Sequence, residues 1–83
     1  MTPIVFELYA NLERLAGGSE CRVETDADVA TVGDALTLLA RERPELAGSL
    51  ERCACVSGDT IIRRADALPA DRRIALLPPV AGG

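Results

Sequence analysis

The sequence contains no histidine, no lysine and no tryptophan, and only one tyrosine, one phenylalanine and one methionine in 83 residues. Without histidine there is no imidazole acid–base catalyst and no imidazole-ligated metal. Without lysine there is no Schiff-base amine and no phosphate-binding P-loop. The nine basic residues are all arginine, gathered no further than the pairs Arg63-Arg64 and Arg72-Arg73, against 13 carboxylates for a net charge of −4. Nucleic acid is therefore not an expected partner, because it requires a clustered positive footprint and aromatic stacking platforms. No apolar run approaches the roughly 18 residues of a membrane span. The opening Met1-Thr2-Pro3-Ile4 carries no basic leader, so a cytoplasmic protein with no membrane partner is expected.

Cysteine is present but sparse. Cys21, Cys53 and Cys55 are an odd number in a chain without an export signal, which argues against a disulfide framework. The Cys53-x-Cys55 pair has no third or fourth ligand at useful spacing, so no metal site is expected. On a strand, two residues apart, these side chains share one face as small core residues.

What is abundant is apolar material: 48% of residues are hydrophobic and 27% charged, enough for one small domain and no room for two. Ile4, Phe6 and Leu8 alternate with Val5, Glu7 and Tyr9, which reads as a strand with one face committed to a core. Gly17-Gly18 breaks the chain, and Ser19 to Glu24 alternates again with Cys21 and Val23 inward. These two strands read as an antiparallel pair joined by a longish loop. From Thr31 the period changes: Val32, Ala35, Leu36, Leu39 and Ala40 make one apolar helical stripe. Thr31 is the expected N-cap, with Asp34 completing a variant capping box, and Pro44 ends the helix. A further turn is expected over Leu46 to Leu50.

The second half returns to strands at Cys53 to Val56, at Thr60 to Ile62 beyond the turn Ser57-Gly58-Asp59, and at Arg73 to Leu77 beyond the turn Leu68-Pro69-Ala70-Asp71. Ile74 and Leu76 point inward, Ala75 and Leu77 outward, and Pro78-Pro79 ends the pairing. This order predicts an α+β, β-grasp domain over residues 1–77: a mixed sheet of about five strands, one main helix on one face, and the first and last strands parallel at the centre. Residues 78–83 are expected to project from the middle of that fold as a flexible tail. Pro78 and Pro79 stiffen its base, and Gly82 and Gly83 leave an unhindered α-carboxylate able to enter a narrow site on another protein.

The segments Leu8 to Gly17 and Leu76-Leu77-Pro78-Pro79-Val80-Ala81-Gly82-Gly83 resemble the opening and closing motifs of the small subunit of molybdopterin synthase, a ubiquitin-like sulfur-carrier family. The resemblance spans essentially the whole chain, and the closing Pro-Pro-Val-x-Gly-Gly is its specific part. Thiamine-pathway carriers share the terminal Gly-Gly but tend to lack the Pro-Pro, and cysteine-pathway carriers end in Pro-Ala-Val-Ala-Gly-Gly. Three departures concern local turns and one partner contact. Ala70-Asp71-Arg72 stands where the family has Asp-Gly-Asp, which would put Asp71 where glycine is preferred. Ser57-Gly58 stands near a usual Asn, and Glu13-Arg14 reverses a usual Arg-Glu.

The resemblance implies a substrate-like carrier that is not an enzyme by itself. A partner adenylating enzyme using ATP and Mg²⁺ would convert the Gly83 carboxylate to an acyl-adenylate, with no cofactor resident on this chain. A persulfide sulfur donor would then leave a thiocarboxylate, and the large synthase subunit would receive the tail, Pro78, Pro79, Val80, Ala81, Gly82 and Gly83. There the sulfur would pass to a pyranopterin precursor during molybdenum cofactor synthesis, in a heterotetramer of two small and two large subunits. The resemblance also assigns Tyr9, Ile61 and Leu77 to an exposed apolar partner face; strand alternation independently turns Tyr9 and Leu77 outward. Three alternatives remain: a carrier for cysteine or thiamine synthesis, a ubiquitin-like modifier of protein lysines, and an interaction domain with an inert Gly-Gly. Lacking lysine, the chain could not be extended into lysine-linked polymers.

Overall fold

Period-two alternation at the start of the chain becomes strand β1 (Thr2–Leu8) in the computed structural model, which describes residues 2–25 and 29–78. Its inward residues Ile4, Phe6 and Leu8 are fully buried or nearly so. Strand β2 (Glu20–Thr25) runs antiparallel to β1 with Ile4 opposite Val23 and Phe6 opposite Cys21, so both strands turn their apolar sides the same way. Strands β3 (Ala54–Ser57), β4 (Thr60–Ile62) and β5 (Arg73–Leu77) complete one five-stranded sheet in the order β2-β1-β5-β3-β4. The expected central pair is present: β1 and β5 are parallel, with Val5 beside Arg73 and Leu8 beside Leu76. All other pairings are antiparallel, as in a β-grasp sheet.

The long helix packs on the inward face. In α2 (Val32–Glu42) the buried residues are Val32, Ala35, Leu36 and Leu39, the stripe the 3.6-residue period requires. Its capping box is complete: the Asp34 amide donates to Thr31 Oγ1 at 3.2 Å and the Thr31 amide donates to Asp34 Oδ2 at 3.3 Å. The next free amides of that helix, Val32 and Gly33, donate to the carbonyls of Asp66 and Arg64. The loop before β5 is thereby tied to the helix start. A Cβ on Gly33 would stand 3.2 Å from the Arg64 carbonyl oxygen, a close approach that glycine accommodates. Pro44–Leu46 forms a 3₁₀ turn and helix α3 (Ala47–Leu50) follows, burying Leu46 and Leu50 in the same core. No helix among the described residues is long and apolar enough to cross a membrane.

Four local features differ from the sequence reading. The segment read as a loop holds a six-residue helix α1 (Asn11–Ala16), ended by Gly17 in the left-handed conformation, whose amide donates to the Glu13 carbonyl. Only Leu12 is buried in it, so it carries no periodic stripe. Strand β1 ends at Leu8, leaving Tyr9 just beyond it, and Cys53 precedes β3 with its thiol donating to the Ser49 carbonyl at 3.1 Å. The left-handed residue of the turn before β5 is Arg72, at φ 55°, and not Asp71. Arg72 is held there from β1: its carbonyl accepts from the Val5 amide and its Nε donates to the Pro3 carbonyl. Asp71 serves instead as a side-chain acceptor for the Arg73 amide.

Ala10 is the other non-glycine residue at positive φ, with φ 54° and ψ −129°, in a turn closed by the Leu12 amide donating to the Tyr9 carbonyl. This conformation suits glycine and costs another residue about 1–3 kcal/mol. The Ala10 side chain is exposed. Ala10→Gly should therefore stabilise the fold by about 1 kcal/mol after the added freedom of the unfolded chain is subtracted, raising Tm by roughly 4–8 °C. A thermal melt showing a lower Tm would contradict this account of the turn.

Candidate functional site

The sheet's other face is the one the helices leave uncovered, and strand register composes it. Ile61 stands opposite Val56, Val56 opposite Ala75, Ala75 beside Glu7, and Glu7 opposite Glu20, forming one row across all five strands. Leu77, two residues along β5 from Ala75, returns to the same side and is 40% exposed. Tyr9, two residues along from Glu7, is 44% exposed. Both line one open concavity of about 430 Å³, together with Glu7, Val56, Gly58, Asp71, Arg73 and Ala75. Two of the three residues assigned to a partner face thus line one concavity. Ile61, 74% exposed, lies on edge strand β4 outside the concavity and extends the same face outward.

A polar network crosses this face that reading the strands singly does not reveal. Glu7 and Glu20 are directly opposed on antiparallel strands, an arrangement that repels unless a cation intervenes. Arg73 supplies it: Nη2 lies 3.1 Å from both Glu7 Oε2 and Glu20 Oε2, and Nε donates to Glu7 Oε2 at 3.1 Å. Hydrogen bonds to Glu20 and then Glu7 hold the guanidinium pKa above its usual value. The free oxygen of Glu7 accepts from the Tyr9 hydroxyl at 3.1 Å. Tyr9 is therefore oriented through a carboxylate that Arg73 fixes in turn. Val5, outward by alternation, is nonetheless buried, with Arg22 and Arg73 as its register neighbours on either side. The signal for this network was the set of outward charges on β1, β2 and β5 taken together once their adjacency is known.

Leu15 is a further exposed apolar residue that sequence reasoning did not single out. Its place on α1 becomes visible only once that helix is recognised. Pro78, partly buried, follows Leu77 at the end of the central strand. Pro79, Val80, Ala81, Gly82 and Gly83 lie outside the described residues.

The Tyr9 phenol has its pKa raised, chiefly by its hydrogen bond to Glu7 and then by the charge of that carboxylate, with Arg73 opposing. Tyr9 is the only tyrosine and there is no tryptophan, so phenolate absorbance reports it alone. Titration should show ionisation above the ordinary tyrosine range, and Glu7→Ala, which removes both acceptor and charge, should bring it down. No change in Glu7→Ala would mean that the two side chains are not bonded in solution.

Residues 6–83 match the ThiS family model. The chain is 33% identical over 86 residues to small archaeal modifier protein 1 of Haloferax volcanii, covering 94% of this chain and 98% of that protein. A crystal structure of the Haloferax protein agrees with this fold at a TM-score of 0.81 and 31% identity, over 99% of this chain and 100% of that one. A chain from the complex of subunits 1 and 2 of the Helicobacter pylori molybdopterin-converting factor shares the fold at a TM-score of 0.64 and 20% identity, over 99% of this chain and 100% of that one. With a β-grasp sheet, a family match running from β1 to the final glycine and a relative alike over nearly its whole length, the chain belongs to the ThiS family of ubiquitin-like sulfur carriers.

Proposed function

We propose that this chain carries sulfur as a thiocarboxylate on Gly83 and delivers it to a pyranopterin precursor in molybdopterin synthesis. The observation that carries the reading is the position of Leu77. It is the last residue of a central strand, exposed beside Tyr9, and one residue from Pro78, where the tail begins. A partner that docks on the Tyr9–Leu77 concavity is thereby placed beside the base of the Gly-Gly tail.

The chemistry asks little of this chain. A free carboxylate is a poor electrophile, so an adenylating partner using ATP and Mg²⁺ attaches the Gly83 carboxylate to AMP and releases pyrophosphate. The terminal sulfur of a persulfide donor attacks the acyl carbon, AMP leaves, and a thiol cleaves the remaining S–S bond to give the thiocarboxylate. The large synthase subunit takes up the tail, and after sulfur transfer hydrolysis returns the carboxylate. Gly82 and Gly83 present no side chain to that channel, and Pro78 and Pro79 lower the entropy lost on insertion. Tyr9, Leu77 and Ile61 supply the apolar contact, and Arg73 holds the charges around it.

A second reading has its own support: the 33% identity to small archaeal modifier protein 1 favours attachment of Gly83 to amines on other proteins. Both uses begin with the same activated carboxyl.

Intact-mass measurement of protein from its host should show one oxygen replaced by sulfur at the C-terminus, and an unmodified terminus during active cofactor synthesis would refute the carrier reading. Adducts on other proteins would favour the modifier. Deleting Gly83 should leave Tm unchanged and abolish thiocarboxylate formation. Leu77→Glu should leave the fold intact while weakening binding to the large subunit by about 2 kcal/mol, roughly thirtyfold in Kd. If reconstituted thiocarboxylate with large subunit and precursor yields no molybdopterin, the pathway assignment fails.

A further inference from the structure

We propose that the fold keeps every strong nucleophile of this chain away from its own activated C-terminus, so that the activated protein survives transfer from one partner to the next. The inference rests on Gly83 being the reactive terminus. The groups that readily attack an acyl-adenylate or thioester are imidazoles, amines and thiolates. Each is dealt with differently.

Imidazoles and ε-amines are absent from the sequence. All nine basic side chains are guanidiniums, which do not deprotonate in proteins and so supply charge without nucleophilicity. This matters most at Arg52, which lines a small cleft with Asn11, Ser49 and Pro78 at the base of the tail. A lysine there would put an amine within reach of a tail that starts at Pro78.

The α-amine is excluded by topology. Because β1 and β5 are parallel, the chain enters the sheet at the end opposite its exit. Thr2 stands six residues before Leu8, the partner of Leu76, and so lies about 26 Å along the strands from Pro78. Five residues follow Pro78, and their fully extended reach is about 18 Å. In an 83-residue chain whose α-amine is on Met1, that residue adds about 3.6 Å at most and the gap stays open.

Thiols are excluded by burial. Cys53 is the dangerous one, since it immediately precedes Ala54, the register partner of Leu77. It is only 5% exposed, and its thiol donates to the Ser49 carbonyl at 3.1 Å. Burial, and then the neighbouring Cys55, pushes its pKa up, which keeps the thiolate scarce. Cys21 and Cys55 are likewise buried in the core beneath the helix. The side reaction avoided is attack of Cys53 Sγ on the Gly83 carbonyl carbon. The bond to the leaving group would break, AMP would depart, the thiol proton would pass to solvent, and an internal thioester would remain.

The test installs the activated carboxyl chemically and uses no pathway partner. The 83-residue chain is prepared with Gly83 as the thioester of mercaptoethanesulfonate and followed by intact mass at low protein concentration. Internal capture reads as loss of the small thiol without gain of water. The folded native chain should lose its thioester by hydrolysis alone, whereas Arg52→Cys should form the internal product at least about tenfold faster than the native chain hydrolyses. Arg52→Lys should form an internal amide more slowly. The native chain in denaturing urea should begin to capture itself through its released cysteines. Internal product in the folded native chain, at Cys53 or the α-amine, overturns the proposal. So does the absence of capture in Arg52→Cys, which would put the exit cleft out of the tail's reach, or in the urea-unfolded native chain, which would show that burial protects nothing. A chain never thiocarboxylated in its host would instead refute the carrier reading, a separate result.

Discussion

The parallel pairing of β1 with β5 is the constraint on which the rest of the molecule depends. Its register partners, such as Val5 and Arg73 or Leu8 and Leu76, stand 68 positions apart in sequence. Its register sets Phe6 beside Ile74 and Leu8 beside Leu76, all of them buried under the helical layer. A slip of one residue would turn Ile74 and Leu76 to solvent and Arg73, Ala75 and Leu77 into the core. Burying each large aliphatic or aromatic side chain stabilises by about 1.5–3 kcal/mol, so the inner face enforces the register. The outer face inherits its order from that choice.

The ends of this pair are where backbone strain collects. Ala10 follows β1 and Arg72 precedes β5, and both are non-glycine residues at positive φ. Strained positions persist only where surrounding structure over-determines them. Arg72 is held by hydrogen bonds to Val5 and Pro3 on β1, and Ala10 by a turn whose first residue is Tyr9. The two residues bracket the outer face lengthwise, and the strain at Ala10 is adjacent to the aromatic ring that face presents.

Periodic features were legible in the sequence, and single-residue features were not. The alternation of Ile4, Phe6 and Leu8, the stripe Val32, Ala35, Leu36 and Leu39, and the Thr31–Asp34 cap each repeat or pair at fixed spacing, and each stands where expected. Helix α1 buries one residue per six and leaves no period to detect. The left-handed site is expected at Asp71, whose side chain tolerates that conformation better than arginine, and it falls one residue further on at Arg72. Tertiary hydrogen bonds from β1 outweighed the local preference. Tyr9, Ile61 and Leu77 emerge exposed as expected, but the Glu7–Arg73–Glu20 network depends on adjacency between strands distant in sequence.

The two faces of the sheet divide the chemistry as well as the packing. Period-two alternation puts thiols with aliphatic side chains inside and carboxylates with arginine outside, so the same pattern that builds a core also sequesters sulfur. The parallel central pair separates the chain's entry from its exit along the strands, while an antiparallel pair would have brought entry and exit together. For a protein whose proposed work is to carry a reactive acyl group on a short tail, that separation is as useful as the docking face. One topological choice supplies both.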